Sequence, residues 1–215
     1  MGFGRVALGA AAVAALVGGG TFAATEVRDN VSAGQRCEAV KQQLPIIHVS
    51  DASVAVLGDS YTAGDGLEDR RQGWAYAVGS DLAGVGRTGF VNGGYCGNHS
   101  YGERLGSVLA LNPQTLIIQG GLNDWETPEE VADAAADVLR RAGTVPRVVV
   151  VGPPDVPGRD GEAAVDQALR AAASMSDAEY VSALDWELEF LPDATHLTVA
   201  GHAAFAANVA SALKH

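Results

Sequence analysis

Val54-Ala55-Val56-Leu57-Gly58-Asp59-Ser60, residues 54–60, runs from a short apolar, β-branched stretch straight into a Gly-Asp-Ser turn. A run of that kind, bounded by turn residues, reads as a buried strand. Thr115–Gln119 and Arg147–Val151 repeat the pattern, and Gly89–Val91 and Tyr180–Ala183 are weaker strand candidates. Helical stretches lie between them, at about 72–83, 103–110, 128–142, 161–174 and 198–213. Thr127-Pro128-Glu129-Glu130 is a helix start, with Thr as N-cap, Pro at the first helical position and acids in the first turn. Thr198 is placed to cap the last helix. Strands alternating with helices predict an α/β fold, with a parallel sheet covered on both faces.

In such sheets ligands bind beyond the carboxyl ends of the strands. Ser60 follows the first strand directly and Gly97 follows the second candidate. Asn123, within Gly121-Leu122-Asn123-Asp124, follows the third. Asp193 and His196, within Asp193-Ala194-Thr195-His196, follow the last after a loop. All four clusters therefore fall on one edge. Together they supply what acyl transfer through a serine needs: a nucleophile, a base, an orienter for that base and donors for an oxyanion. A serine hydroxyl is a weak nucleophile until a base removes its proton, and His196 is the favoured base. Asp193, three residues earlier, is close enough to hold one ring nitrogen and fix the tautomer. Asn123 offers a side-chain NH₂, Gly97 an unobstructed backbone N–H, and Ser60 its own N–H. His202 is the rival base and Asp185 the rival carboxylate. Tyr61 and Trp125, adjacent to the Ser60 and Asn123 clusters, are candidates to line the substrate site.

Other motifs fail on context. Gly84-Val85-Gly86-Arg87-Thr88-Gly89 fits a dinucleotide pattern but is expected to follow a helix and precede a strand, the reverse of what that pattern requires. Ser60 lacks the G-x-S-x-G elbow of α/β-hydrolases. The five histidines show no ligand spacing, so no metal site is expected.

These residues resemble the SGNH/GDSL hydrolase family. Its first block is similar to Gly58-Asp59-Ser60-Tyr61-Thr62, and its second to Asn92-Gly93-Gly94-Tyr95-Cys96-Gly97. The third is similar to Gly121-Leu122-Asn123-Asp124, and the fifth to Asp193-Ala194-Thr195-His196. The resemblance spans roughly residues 53–212. It implies a flavodoxin-like three-layer α/β/α sandwich with a five-stranded parallel sheet. It also implies ester hydrolysis without a cofactor, with Ser60, Asp193 and His196 as triad and Gly97 and Asn123 completing the oxyanion hole. Gly93 or Gly94 takes the place of Gly97 if the second block slips.

Composition sets the remaining bounds. A net charge of −12 lacks the basic footprint of a nucleic-acid binder. Residues 1–25 carry one charge, Arg5, before an uncharged stretch rich in Ala, Val and Gly. That describes a secretory signal or a retained membrane anchor through residues 6–25, and either places the domain outside the cytoplasm. Residues 26–51 read as a linker and 52–215 as the hydrolase domain. The two cysteines, Cys37 and Cys96, are either a disulfide, which export favours, or two buried thiols. The expected protein is thus an exported serine esterase for small-molecule or carbohydrate esters, with short acyl groups favoured because no long insertion supplies a lid. The alternatives are an acyltransferase with the same triad and a non-catalytic binding module, a flavin-binding one included.

Overall fold

The computed structural model describes residues 34–214. The expected signal or anchor, residues 1–25, lies outside them. A six-stranded sheet runs in the order β1-β3-β2-β4-β5-β6. Its strands are β1 (Ile47–His48), β2 (Val54–Gly58), β3 (Asp81–Gly84), β4 (Thr115–Gln119), β5 (Arg147–Pro154) and β6 (Glu179–Ala183). β2 to β6 are parallel, and β1 pairs antiparallel with β3 at the edge. The flavodoxin-like class expected from the sequence is therefore present, with a short sixth strand added.

Alternation along the strands builds the two faces. Ala55, Leu57, Leu116, Ile118, Val148 and Val150 face one way, onto α4 (Tyr101–Leu109), α5 (Pro128–Ala142) and α6 (Glu162–Ser174). Val56, Ile117, Val149 and Val151 face the other. They meet α2 (Ser60–Ala63), α3 (Trp74–Val78) and α7 (Val199–Ala212). On that side Trp74, Trp186 and Tyr61 surround Phe205, with ring centroids 4.8 to 5.9 Å away. Thr198 caps α7 by accepting from Gly201 N–H, whereas Thr127 starts α5 without a side-chain capping bond.

Two expectations are corrected. The second parallel strand is β3, not Gly89–Val91, and the helix expected over 72–83 is only the five-residue α3. Asp81-Leu82-Ala83-Gly84 has no β-branched residue. It is extended because Ala55 to Gly58 supply it with a ladder. Gly84-Val85-Gly86-Arg87-Thr88-Gly89 consequently follows a strand, but it enters a loop rather than a helix.

The described part of the expected linker is joined to the domain. Residues 34–41 form helix α1 and residues 47–48 form β1. His48 Nδ1 lies 2.8 Å from Asp81 Oδ1 across the β1–β3 pair. Cys37 in α1 is bonded to Cys96, 59 residues on. Closing a loop of that length restricts the unfolded chain by about 4 kcal/mol in the chain-entropy view. Replacing both cysteines by serine is expected to lower the melting temperature by roughly 10 °C, as calorimetry will register. An unchanged melting temperature contradicts a stabilising cross-link.

Candidate active site

β2 is flanked by β3 on one side and β4 on the other, so its carboxyl end opens at the point where the strand order reverses. Ser60 stands there as the first residue of α2, where a backbone N–H has no intrahelical acceptor. Asp59 caps the helix through Oδ1, which accepts Tyr61 N–H at 2.9 Å. Asp59 is fully buried, and burial pushes its carboxyl up to about 6. Its contribution to stability is therefore complete below the ordinary carboxylate range and lost as pH rises through about 6. Thr62 Oγ1 donates to Gln119 Oε1 at 2.8 Å and so ties α2 to the end of β4.

The base and its orienter meet in the loop before α7. His196 Nδ1 lies 2.6 Å from Asp193 Oδ2, while Asp193 Oδ1 accepts the N–H groups of His196 and Thr195 at 2.9 and 3.0 Å. Burial would raise this carboxyl, but the ring contact and the two N–H bonds outweigh it and hold Asp193 at about 2. It stays anionic throughout the neutral range. Ser60, Asn123, Asp193 and His196 share the walls of one cleft of about 280 Å³ with Arg87, Asn92, Trp125 and Arg159.

Asn123 lies in the turn Leu122–Asp124 after β4. Its Nδ2 donates to Thr88 carbonyl at 2.9 Å, and Asn92 Nδ2 returns to Asn123 carbonyl at 3.2 Å. The second hydrogen of the Asn123 amide remains for the cleft. Beneath them, buried Asp124 gathers three backbone N–H groups, from Phe90, Val91 and Asn92, at 2.8 to 3.2 Å. Burial raises this carboxyl and the three donors pull it back. A Cβ on Gly89 would run into the carboxylate, so the loop needs glycine there. Buried Arg104 completes the floor. It donates to the carbonyls of Gly58, Ala83 and His99 and to Thr88 Oγ1, all within 2.9 Å. One guanidinium thus ties the ends of β2 and β3 to the 88–99 loop. Burial lowers it to about 10, which leaves it cationic at neutral pH.

The sequence model of the GDSL-like lipase/acylhydrolase family matches residues 56–204. The chain belongs to that family. It is a serine hydrolase acting on ester bonds. No protein of curated function matches it in sequence. Among solved structures, a carbohydrate acetylesterase from Sinorhizobium meliloti is 20% identical with a TM-score of 0.66, covering 76% of this chain and 99% of its own. An aryl esterase from M. smegmatis is 19% identical with a TM-score of 0.63, covering 76% and 98%. A catalytic mutant of an acetylxylan esterase from Geobacillus stearothermophilus is 14% identical with a TM-score of 0.63, covering 77% and 95%. At these identities the likeness is one of fold.

Within this GDSL-family hydrolase several expected residues stand elsewhere. Gly97, at φ +74°, donates its N–H to Gly94 carbonyl at 3.0 Å and is not among the cleft-lining residues. Gly93 and Gly94 are not among them either, and Gly94 N–H is held by Asn92 Oδ1. Tyr61 does not line the cleft: it is buried, and its hydroxyl donates to Thr195 carbonyl at 2.5 Å. It therefore positions the loop that carries His196. Trp125 does line the cleft, with Arg159 over its ring at 5.7 Å. His202 is fully buried and accepts Trp74 N–H on Nδ1, and burial lowers it to about 4. Its neutral form thus supports the fold above the ordinary imidazole range and is lost as pH falls. Asp185 is exposed and away from the cleft. Among the described residues no cluster of His, Cys, Asp and Glu is arranged to hold a metal.

Asp124 and Arg104 escaped the sequence reading as structural supports. Asp124→Asn sets an amide NH₂ against one of the three backbone donors. It is expected to cost about 1–3 kcal/mol and to slow turnover roughly 10- to 100-fold by shifting Asn123. Thermal melts and kcat on a model ester check this; wild-type values for both contradict the anchoring role.

Proposed function

We propose that the chain is an exported esterase that removes short acyl groups, acetyl foremost, from small-molecule or carbohydrate alcohols through an acyl-enzyme on Ser60. The observation that carries this reading is the cleft shared by Ser60, Asn123 and the Asp193–His196 pair. With Nδ1 engaged by Asp193, His196 presents Nε2 as the acceptor for the Ser60 proton. Ser60 Oγ attacks the ester carbonyl, and the developing oxyanion takes donors from Ser60 N–H and Asn123 Nδ2. His196 then gives the proton to the leaving alcohol. In the second half it takes a proton from water, which attacks the acyl group and frees Ser60.

A cleft of about 280 Å³ is at the small end of ligand pockets, roughly 300 to 1,000 Å³, and supports a small ester as substrate. The acetylesterases among the similar folds support the same substrate class. The Cys37–Cys96 bond and the apolar N-terminal sequence support a location outside the cytoplasm. The test is a series of p-nitrophenyl esters from acetate to decanoate. kcat/KM is expected to be highest at acetate or propionate and to fall steadily with chain length. A maximum at octanoate or decanoate overturns the short-acyl reading.

A further inference from the structure

The cleft wall carries two arginines that ester hydrolysis does not require. Arg87 and Arg159 both line the cleft. Arg87 is exposed, with its guanidinium carbon 4.9 Å from the centre of the Tyr95 ring. Arg36 in α1 stands over the same ring at 5.4 Å. Among the described residues neither Arg36 nor Arg87 pairs with a carboxylate. Arg159 donates to Leu122 carbonyl at 3.1 Å, and its Nε makes a loose ion pair with buried Glu162 at 3.9 Å. The arrangement is built rather than incidental: Arg36 and Tyr95 immediately precede Cys37 and Cys96, so the disulfide brings them together. Arg87 is held at φ +61°, a backbone conformation unfavourable to an arginine.

Two carboxylates share the wall with the two arginines. Asp193 is committed to His196, which leaves exposed Glu126 as the other carboxylate on the wall. A chain of net charge −12 repels anions at long range. Arg87, which has no carboxylate partner among the described residues, and Arg159 stand on the cleft wall, and guanidiniums suit carboxylate or phosphate groups.

We infer that the natural substrate is an anionic ester whose alcohol portion carries a carboxylate or similar charge, bound by Arg87 and Arg159 with Arg36 extending the site. This rests on the short-acyl reading, which leaves no room for the charge on the acyl side.

The test compares the full chain on 4-acetoxybenzoate and on its neutral methyl ester. kcat/KM is expected to favour the anion by about tenfold at low ionic strength, mainly through KM, and the ratio to shrink toward unity at about 0.5 M salt. In Arg87→Gln the anion/neutral ratio is expected to fall to about threefold or less. Arg87 is exposed, so this variant tests recognition rather than folding. Equal rates on the two esters, or a ratio unchanged by salt and by Arg87→Gln, overturn the inference while leaving the esterase intact. No hydrolysis of either acetyl ester by folded protein overturns the short-acyl reading and this inference with it. A free carboxylate such as benzoate, added as inhibitor of the neutral ester, supplies a second readout. Competitive inhibition in wild type that weakens in Arg87→Gln supports the anion site, and its absence counts against it.

Discussion

Ser60→Ala is expected to lower kcat on p-nitrophenyl acetate by at least about 10⁴-fold, with the melting temperature within a few degrees of wild type. The size follows from role: without Oγ no acyl-enzyme forms, and only binding and the oxyanion donors remain to help water attack directly. The fold should tolerate the change because α2 depends on Asp59 and Thr62 rather than on the serine hydroxyl. His196→Ala should cost nearly as much, and the double variant little more than either alone, since the two act as a unit. Steady-state kinetics with burst analysis checks all three. Activity surviving Ser60→Ala shows that another group is the nucleophile.

Asp193→Asn is expected to cost about 10³–10⁴ in kcat, although the side chain changes by one atom. The amide oxygen can still accept the Thr195 and His196 N–H bonds that Asp193 Oδ1 now takes. Its NH₂ then faces Nδ1, where Oδ2 stood at 2.6 Å. A donor against Nδ1 selects the tautomer with hydrogen on Nε2, the wrong one to accept from Ser60. Because Asp193 is held at about 2 in the wild type, it does not titrate near neutrality. Its own stabilising contribution is present above the ordinary carboxylate range and fades only as pH falls toward 2. Asp193 itself should therefore contribute nothing to the acid limb of the rate profile near neutrality. A kcat within tenfold of wild type in Asp193→Asn shows that the orienting role lies elsewhere.

Both predictions rest on residues legible in the chain before any coordinates. β2, β4 and β5 are buried on both faces, so nearly every residue is apolar and the runs stand out. Their ends then place Ser60 and Asn123. β3 was hidden because pairing with β2, not its own composition, makes it a strand. Gly89–Val91 misled in the opposite sense: it is apolar, but its neighbouring N–H groups are taken by the Asp124 carboxylate rather than by a strand. Gly97 N–H is engaged by the carbonyl of Gly94 in the turn before it, a local bond that the run of glycines does not announce. Tyr61 looked like a wall residue because it adjoins Ser60, but a carbonyl 134 residues away claims its hydroxyl. Arg104 did leave a signal. It lies on the stripe formed by Tyr101, Leu105 and Val108, where an arginine has to find acceptors or leave the core.

The short strand β1 bears on how copies of this protein behave toward one another. An open parallel sheet offers its outermost strand as a template for any extended chain nearby. Here that place beside β3 is already filled by Ile47 and His48, antiparallel and only two residues long. A visiting strand finds too short a ladder to grip. At the opposite margin β6 begins with Glu179, joined to Arg147 by a two-pronged ion pair. Charge guards one border and brevity the other, and both work against aggregation at high concentration.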